Sequence, residues 1–562
     1  MVEISLLIRK WALQNAVKYG GKANPGAVIG KLLSEQPELK EQMKDLAKQV
    51  NIIIKDVNAL KPEQQLAELK KTAPELLEEK KKEEKHELPE LQNAVVGNVV
   101  TAFPPEPSGY PHLGHGKGAL VNYLYAKKYQ GKFILRFEDT NPELATQEFI
   151  DAILEGIKWL GIEWDELVYI SDTIPAIYQK GGELLNKGVF YACACEPEAM
   201  KRNRLSSTVC EHREHAVDVN TKFWKEMLDG VHDKGDVVIR WKADLEHKNT
   251  AMRDPTMFRI IKLPHVRHGT KYHVWPSYDC AAAFSDGAEG ITHRVRSKEF
   301  ELRAEVQSNL QKLMGFRPTV IVEQARFNLE GVEASKRKIR EGIREGTLTG
   351  WDDIRLSTII ALRRRGFVPE ALRNFLISLG VTKHESTITW DMISAENRKV
   401  LDPVANRAFF IPEPVKITIE GAPEKIAEVD VHPDHPERGT RKFKTHSEFY
   451  VAPEDVREFK QRSLYRLMDC FNFTKTAKGY KFHSLDVETY REKGKRILHW
   501  LPADAELVNV ELVMPDASVR KGLGEPALKN LKEGDILQFQ RVGFVRLDKK
   551  EKDKLVFWFA HR

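Results

Sequence analysis

Phe103-Pro-Pro-Glu-Pro-Ser-Gly-Tyr-Pro-His-Leu-Gly-His-Gly-Lys117 is the stretch that decides the fold. It follows an apolar run at residues 99–103, which has the length of a buried strand, and leads into a helical run at residues 119–129. Backbone N–H groups at a helix start can face phosphate, and the two imidazoles of His112-Leu113-Gly114-His115 would suit a polyphosphate. Taken alone, however, this tetrapeptide is better explained as an incidental histidine-rich turn, so its meaning depends on other residues.

The pattern of apolar runs and turn residues on both sides of this stretch predicts several domains. Short apolar runs, such as residues 133–137, alternate with helical segments as far as about residue 320, which is typical of a nucleotide-binding parallel α/β sheet. Residues 350–398 are predicted to be helical. Beyond residue 400, apolar or alternating runs at residues 415–419, 507–513 and 536–545 stand between turn residues, which favours barrels of antiparallel strands.

The first 90 residues read as helical, because apolar residues recur at spacings of three and four. Examples are Leu32, Leu33, Leu39, Met43, Leu46 and Val50. Residues 78–85 are almost wholly ionic. We interpret this charged run as a solvated helix or linker, with an arm that contacts a nucleic-acid partner as the alternative.

Composition places the chain among globular proteins. Its 562 residues exceed what one core usually organises, and 41% apolar with 30% charged residues is ordinary usage. No run approaches the 18 to 20 apolar residues of a membrane helix. We therefore expect a cytoplasmic protein. The net charge of +6 on 88 basic and 82 acidic groups is too small to identify a nucleic-acid partner by itself.

Three of the five cysteines predict a structural zinc site. Cys193, Cys195, Cys210 and His212 supply three thiolates and one imidazole, the ligand number and type of a closed zinc centre. Their spacing is not that of a standard zinc finger. The alternative is a set of free thiols within an insertion. Five cysteines in a chain of this length do not make a disulfide framework.

A second basic loop changes the meaning of the first stretch. Glu333-Ala-Ser-Lys-Arg-Lys338 presents mobile cations that could meet phosphates as charge develops. Together with residues 103–117 and with Leu135-Arg-Phe-Glu-Asp-Thr-Asn-Pro142 between them, this loop resembles the second signature of class I aminoacyl-tRNA synthetases. The resemblance is close to the glutamyl and glutaminyl branch, and within it to archaeal-type glutamyl-tRNA synthetases.

The resemblance extends from about Val96 to the C-terminus, through Tyr278-Asp279, Gly290-Ile-Thr-His293 and Gly350-Trp-Asp-Asp353. It implies a multidomain α/β plus β protein. Residues 1–95 would form a helical N-terminal extension. Residues 96–345 would form a Rossmann-like catalytic domain with HIGH-type and KMSKS-type loops and an acceptor-binding insertion around residues 190–270. Residues 346–400 would form a helical connector, and residues 401–562 antiparallel β-barrels that bind the anticodon.

The resemblance also implies the site residues. The ATP site would contain Glu106, Pro107, Ser108, His112, Leu113, Gly114, His115, Gly116, Lys117, Gly118, Ser297, Arg326, Phe327, Ala334, Ser335 and Lys336. Catalysis would depend first on Lys336, then on His112 and His115, with Ser335 beside them.

Glutamate would be bound by Glu138, Tyr278 and Arg296. A carboxylate suits the substrate's ammonium group, a phenol can orient it, and a guanidinium favours the side-chain carboxylate. Tyr278 taken alone would be an ordinary half-buried tyrosine. Arg296 could instead pair with Glu299 or Glu301 on an exposed helix, with Arg294 then the second candidate.

Two departures from the family pattern affect these expectations. The family usually has an arginine immediately before the first phenylalanine of the HIGH-type stretch, where this chain has Ala102. The second loop has Glu333 and Ala334 where lysine or valine and methionine are common, so only Ser335 and Lys336 remain from its core. Because Ala102 replaces the arginine, one expected cation that meets the amino acid is missing.

The activity implied is that of a ligase that makes glutamyl-tRNA, AMP and diphosphate. The expected partners are L-glutamate, ATP with Mg²⁺ as substrate, and tRNA(Glu), with charging of tRNA(Gln) left open. We expect a monomer. The alternatives are a glutaminyl-tRNA synthetase and a non-enzymatic RNA-binding protein descended from a synthetase.

Overall fold

We describe a computed structural model of the chain, which covers residues 2–18, 21–35, 39, 43–73, 76, 88–333 and 335–562. The chain forms two compact units, residues 1–85 and 86–562, and each is described by itself. The charged run at residues 78–85 and the predicted site residue Ala334 lie outside the described residues. Within the described ranges, no helix is long and apolar enough to cross a membrane.

The first unit is helical. Leu32, Leu46 and Val50 are buried in its core, as their spacing predicts, whereas Met43 is exposed at the first residue of its helix. The Gln65 side-chain amide donates hydrogen bonds to the carbonyl oxygens of Val57 and Gly21 and so joins two turns of this unit. Its helices are α1 (Val2–Lys18), α2 (Pro25–Glu35), α3 (Met43–Ala59) and α4 (Pro62–Thr72).

The second unit holds all remaining described helices and strands. Its helices are α5 (Leu113–Lys128), α6 (Gln147–Trp159), α7 (Ile174–Asn186), α8 (Pro197–Ser206), α9 (Val217–Leu228), α10 (Tyr278–Ala288), α11 (Glu301–Leu313), α12 (Lys336–Arg344), α13 (Ile359–Arg365), α14 (Pro369–Ser378), α15 (Trp390–Leu401), α16 (Pro453–Glu458) and α17 (Val487–Lys493). Its first strands are β1 (Val100–Phe103), β2 (Lys132–Phe137), β3 (Glu166–Tyr169), β4 (Phe190–Cys193), β5 (Val238–Trp241), β6 (Thr256–Ile260), β7 (Val274–Pro276), β8 (His293–Ser297), β9 (Val320–Gln324), β10 (Phe327–Leu329) and β11 (Ser386–Ile388).

The C-terminal strands follow residue 405. They are β12 (Arg407–Ala408), β13 (Phe410–Pro412), β14 (Val415–Glu420), β15 (Lys425–Asp430), β16 (Thr440–Thr445), β17 (Glu448–Val451), β18 (Leu464–Leu467), β19 (Asn472–Thr476), β20 (Gly479–Ser484), β21 (Gly494–Leu498), β22 (Leu501–Pro502), β23 (Val508–Val513), β24 (Val519–Gly524), β25 (Ile536–Phe539), β26 (Gly543–Lys550) and β27 (Leu555–His561).

A parallel sheet positions the site. Strand β2 pairs in parallel with β1 and β3, and β8 pairs in parallel with β9. Strand β8 begins beside β1, because the Thr292 backbone N–H donates to the Val100 carbonyl oxygen at 2.9 Å. The spatial order is therefore β3-β2-β1-β8-β9. In such a sheet the carboxyl ends of the strands share one edge, where ligands usually bind.

Helix α5 joins the two halves of this sheet. It follows β1, and its Asn122 side chain accepts from the Val295 N–H at 3.1 Å and donates to the Val295 carbonyl oxygen at 3.0 Å. Asn122 is fully buried, and this pair of hydrogen bonds holds β8 where it diverges from β1. The two halves of the sheet can then separate at their carboxyl ends, which leaves space for a ligand.

An insertion stands between α7 and α10. It carries the antiparallel sheet β4-β5-β6-β7, packed on an apolar core that includes Phe190, Trp224, Phe258 and Trp275. Helices α13, α14 and α15 follow the parallel sheet. Arg364 of α13 stacks 3.9 Å above the Trp558 ring and pairs with Asp548, so it ties these helices to the last sheet.

The C-terminal region consists of two seven-stranded sheets and the antiparallel pair β15-β16, which confirms the prediction that this region is rich in strands. Their orders are β12-β25-β26-β27-β23-β24-β13 and β21-β18-β19-β20-β14-β17-β22. Most pairs are antiparallel, as predicted. Each sheet also contains two parallel pairs, β12 with β25 and β23 with β27 in the first, and β14 with β20 and β18 with β21 in the second.

Candidate active site

A cavity of about 640 Å³ opens at the carboxyl edge of the parallel sheet. Phe103 at the end of β1, Glu138 directly after β2 and Ser297 at the end of β8 all line it. The start of α5 closes one side, and Lys336 at the start of α12 closes another. A concave site at this edge of a parallel sheet is the usual place for a nucleotide.

Residues 112–115 of the HIGH-type stretch, which spans residues 103–117, form the N-terminal cap of α5. The Gly114 N–H donates to His112 Nδ1 at 3.0 Å, and the His112 N–H donates to His115 Nδ1 at 3.3 Å. A Cβ atom at position 114 would lie 2.8 Å from His112 Cε1, so a side chain here would displace the capping imidazole. The two rings lie 4.1 Å apart between centroids.

Both imidazoles are neutral at neutral pH. Burial, with Lys336 and Arg326 nearby, lowers the pKa of His112 to about 4 and that of His115 well below its usual range. Because each Nδ1 accepts a hydrogen bond, each neutral ring must carry its proton on Nε2. The cavity therefore offers two Nε2–H donors beside the helix N-terminus, an arrangement that suits phosphate oxygens.

Lys336 joins the second loop to the first. Its Nζ donates to Ser108 Oγ at 3.1 Å, and Ser108 in turn donates to the Glu106 carboxylate at 2.7 Å. A Cβ atom at Gly109 would lie 3.1 Å from Lys336 Cδ, so this glycine lets the lysine stem pass close to the first loop. Burial lowers the pKa of Lys336, and Glu106 opposes that effect.

The far end of the cavity carries groups suited to an amino acid. Burial raises the pKa of Glu138 to about 7, although Arg294 opposes this shift. Arg294 Nη2 lies 3.4 Å from Glu138 Oε1 and 3.3 Å from the Tyr278 hydroxyl. Arg294 is also bound through Nη1 to Asp286 Oδ2 at 2.8 Å. A carboxylate and a phenol thus stand together where an ammonium group could be held.

Arg296 also lines the cavity, on strand β8 rather than on an exposed helix. Nη1 donates to Gln307 Oε1 at 2.7 Å and Nη2 to the Phe300 carbonyl oxygen at 2.9 Å. Gln307 Nε2 donates to the Asp279 carboxylate, which fixes the amide so that its oxygen faces Arg296. Arg296 is 8% exposed and forms no ion pair with any described carboxylate. The alternative prediction, that Arg296 pairs with Glu299 or Glu301, is therefore wrong. Glu299 binds Arg326 instead.

The cysteine and histidine set converges in the insertion. The ligand atoms of Cys193, Cys195, Cys210 and His212 all lie within 4.8 Å of one another, so this cluster could hold a metal ion. The sulfur atoms of Cys193 and Cys210 are 4.0 Å apart, and Cys195 Sγ is 3.4 Å from His212 Nδ1. A tetrahedral zinc centre separates its ligand atoms by about 3.8 Å, so the residues fit this ion.

A buried arginine stands behind this cluster. Arg240 is 2% exposed, and its Nη1 points at Cys193 Sγ at 3.8 Å while its guanidinium lies over the Tyr191 ring. Three thiolates around a divalent ion leave one net negative charge. A guanidinium in this place would offset that charge, since outer groups of this kind orient metal ligands and adjust their basicity.

Comparison with known proteins shows what this chain is similar to. The catalytic-domain model of "tRNA synthetases class I (E and Q)" matches residues 98–403, and two anti-codon binding domain models of the same family match residues 405–486 and 497–548. The chain belongs to the class I tRNA synthetases of the E and Q group.

Curated relatives from this class I group match along the whole chain. "Glutamate--tRNA ligase" from Pyrococcus furiosus is 43% identical and its counterpart from Pyrococcus abyssi 44% identical, each over 100% of both chains. The protein of the same name from Methanocaldococcus jannaschii is 38% identical over 98% of this chain and 99% of its own.

The structure brings most of the site residues predicted from the class I resemblance to one cavity wall. These are Glu106, His112, Leu113, Gly114, His115, Lys117, Gly118, Glu138, Tyr278, Arg296, Ser297, Arg326, Phe327 and Lys336. Pro107, Ser108, Gly116 and Ser335 do not line it. Ser108 reaches the site through Lys336, a Cβ atom at Gly116 would point at Leu160, and Ser335 accepts from Lys338 N as the cap of α12.

The class I signatures did not reveal the residues that hold Arg296. Gln307 lies between the buried Val306 and Leu310 on α11, and it is 3% exposed. The sequence signal that could have indicated Gln307 was a polar residue within the apolar face of a helix. Phe300 lines the cavity and lies beside the Arg296 guanidinium, and no local pattern marks it.

Proposed function

We propose that this protein is a glutamate–tRNA ligase, which activates L-glutamate with ATP and transfers the glutamyl group to the 3′ end of tRNA(Glu). The observation that carries the proposal is a buried cation, Arg296, at the amino-acid end of a cavity whose other end carries both phosphate-facing loops. Similarity to curated glutamate–tRNA ligases over the whole chain supports it.

In the first step, a carboxylate oxygen of glutamate forms a bond to the α-phosphorus of ATP, and the bond from that phosphorus to its bridging oxygen breaks. Diphosphate leaves with the Mg²⁺ that arrived with the nucleotide. His112 and His115 would donate to phosphate oxygens through Nε2–H, and Lys336 would stabilise the charge that develops on the leaving diphosphate. Ser297, Arg326 and Phe327 would contact the base and ribose.

In the second step, a terminal ribose hydroxyl of tRNA attacks the activated carbonyl. AMP leaves as the ester forms, and the hydroxyl proton is released. No protein nucleophile is needed in either step. The protein acts by positioning and by charge stabilisation, so the reacting groups must be held in line within the cavity.

The substrate's amino-acid portion would be held at the sheet edge. Glu138 would pair with the ammonium group, Tyr278 would orient it, and Arg296 would bind the side-chain carboxylate through paired, charge-assisted hydrogen bonds. Glutamine would present an N–H group to a guanidinium that only donates. Arg296 therefore favours glutamate over glutamine.

Glutamate binding is expected to weaken as the pH falls below about 7. Only the ionised Glu138 carboxylate attracts ammonium, and burial raises its pKa to about 7, so the group is protonated below that pH. The KM for glutamate at about pH 6 should be about tenfold above its value at about pH 8, because one pH unit below a pKa leaves about one tenth of the group ionised.

Glutamate-dependent exchange of diphosphate into ATP, with tRNA present, measures this KM across the pH range. Glu138→Gln should remove the pH dependence. Glu289→Gln is the matched control, since Glu289 is a largely buried carboxyl that pairs with Arg136 off the cavity. A wild-type KM for glutamate that stays constant from about pH 6 to about pH 8 would contradict the role of Glu138.

We further propose that Cys193, Cys195, Cys210 and His212 bind one structural zinc ion per chain. A closed site of this kind binds with folding energy, so zinc should stay with protein purified without a chelator. The ion would hold β4 and the segment after α8 together. It takes no part in glutamate activation.

Metal analysis of purified protein should give one zinc per chain, and Cys195→Ser should lose most of it. Cys470→Ser, at a buried cysteine outside the cluster, should keep the full amount. Much less than one zinc in the wild-type protein, or full zinc content in Cys195→Ser, would show that the cluster is a set of free thiols.

A charging assay tests the main proposal. Glutamate and glutamine are each tested against purified tRNA(Glu) and tRNA(Gln), and the expected product is glutamyl-tRNA(Glu). Charging with glutamine alone would make the protein a glutaminyl-tRNA synthetase. Absence of both charging and amino-acid-dependent exchange of diphosphate into ATP would leave a non-enzymatic RNA-binding protein.

A further inference from the structure

Arg294 is a buried guanidinium whose donors are only partly used. It is 1% exposed and lines the cavity beside Glu138 and Tyr278. One of its nitrogens, Nη1, is firmly bound to Asp286 at 2.8 Å. The other, Nη2, has long contacts of 3.4 and 3.3 Å to Glu138 and Tyr278, and its Nε has no hydrogen-bond partner among the described residues. A buried donor without a partner is costly unless a ligand satisfies it.

The side chain of Arg294 crosses a neighbouring strand. Arg294 lies on β8 and contacts Glu138 directly after β2, and β1 stands between these two strands. Towards the carboxyl end of β1, the residue on this face is Ala102, which is 0% exposed and clusters with Ile134 of β2 and Ile291 before β8. Since side chains alternate along a strand, Ile134 and Glu138 share this face. A small residue at 102 leaves room for a long side chain to cross.

Asp286 has a second cationic partner besides Arg294. Arg136 Nη2 already binds Asp286 Oδ1 at 2.7 Å, and Arg136 Nη1 binds Glu289. Arg136 does not line the cavity, whereas Arg294 does. When Glu138 is turned to an ammonium group, Arg294 loses this carboxylate, and Arg296 has no carboxylate partner among the described residues. The end of the cavity then carries an excess of positive charge that an anionic group can satisfy.

We propose that Arg294 is a second residue that binds the substrate's side-chain carboxylate, together with Arg296. The small side chain of Ala102 would leave the space that the Arg294 side chain occupies. The two arginines are two positions apart on β8, so their Cα atoms lie about 7 Å apart and their side chains leave the same face. A carboxylate between two guanidinium groups is bound on both oxygens. This inference rests on the proposed function. Arg294 would supply from β8 the cation that the family usually has at position 102 of β1.

An exchange of the cation between the two strands tests this inference. Arg294→Val should raise the KM for glutamate by at least about tenfold and change the KM for ATP by less than about twofold, because a hydrogen bond to a charged group is lost only at the amino-acid end. Ala102→Arg alone should lower kcat/KM for glutamate, since two long side chains would compete for one space. In the double variant, kcat/KM for glutamate should be at least about fivefold above that of Arg294→Val alone. Ala102→Arg would thus lower kcat/KM in the wild-type background and raise it in the Arg294→Val background, and this reversal of sign marks direct coupling.

Arg136→Met is the matched control, because it removes the other partner of Asp286 on the same face without changing a cavity residue. It should lower the melting temperature and change the KM for glutamate by less than about threefold. The inference is overturned if Arg294→Val keeps the wild-type KM, if Arg136→Met raises that KM as much as Arg294→Val does, or if the double variant shows no gain. A wild-type protein without glutamate-dependent exchange refutes the proposed function instead, and this is seen before any variant is compared.

Discussion

Lys336→Ala is expected to lower the rate of glutamate activation by about a hundredfold or more, while the affinity for ATP falls much less. A preorganised cation that meets charge only in the transition state typically contributes about 3 kcal/mol to the barrier. In the ground state Lys336 binds the neutral Ser108 hydroxyl at 3.1 Å rather than a carboxylate. Its charge is thus kept close to the phosphate site and available for the leaving diphosphate.

Single-turnover formation of glutamyl-adenylate and direct ATP binding separate the two effects. Arg344→Ala is the matched control, because Arg344 ends the same helix, is exposed and pairs with Glu341, and neither residue lines the cavity. Its activation rate should stay near that of the wild type. Equal losses of rate and of ATP affinity in Lys336→Ala would make Lys336 a ground-state binder, and another cation would then carry the catalysis.

The phosphate end of the site was predictable because it is local in sequence. His112, Gly114 and His115 lie within one turn of α5, and the hydrogen bonds that fix the two rings join residues two and three positions apart. A strand followed by this turn and a helix leaves few alternatives for its backbone. The short second loop similarly places Lys336 at the first residue of α12.

Other predicted positions differ because local geometry gives them another partner. Ser335 caps α12, so its hydroxyl accepts from the Lys338 backbone N–H instead of facing the cavity. Ser108 lies behind Lys336 and orients that cation. A motif identifies which residues belong together. It does not tell which of them contact the ligand, because capping and packing compete for the same polar groups.

The amino-acid end depends on tertiary structure and was harder to predict. Arg296 is oriented by Gln307 eleven residues later, and Gln307 is oriented by Asp279 on another helix. The parallel pairs in the C-terminal sheets have the same origin, since β23 and β27 are far apart in sequence. Alternation marks a strand, but it does not name the neighbouring strand or its direction.

Arg296→Cys is expected to lower kcat/KM for glutamate by about 10⁴-fold and to narrow or invert the preference for glutamate over glutamine. Arg296 is buried, is held by the neutral Gln307 amide and the Phe300 carbonyl group, and has no carboxylate partner among the described residues. An incoming side-chain carboxylate would be its charge partner. Glutamine would leave this desolvated cation poorly matched, whereas a cysteine removes that penalty.

Arg303→Cys provides the matched control for Arg296→Cys. Arg303 lies one turn before Gln307, binds Asp279 and stands 5.4 Å from the Tyr278 ring centroid, yet it does not line the cavity. Values of kcat/KM for both amino acids are measured in both variants and in the wild type. Arg303→Cys should keep the wild-type ratio, because Gln307 still orients Arg296. If Arg296→Cys also keeps that ratio, Arg296 does not bind the substrate side chain, and the choice between glutamate and glutamine must rest on other residues of the cavity.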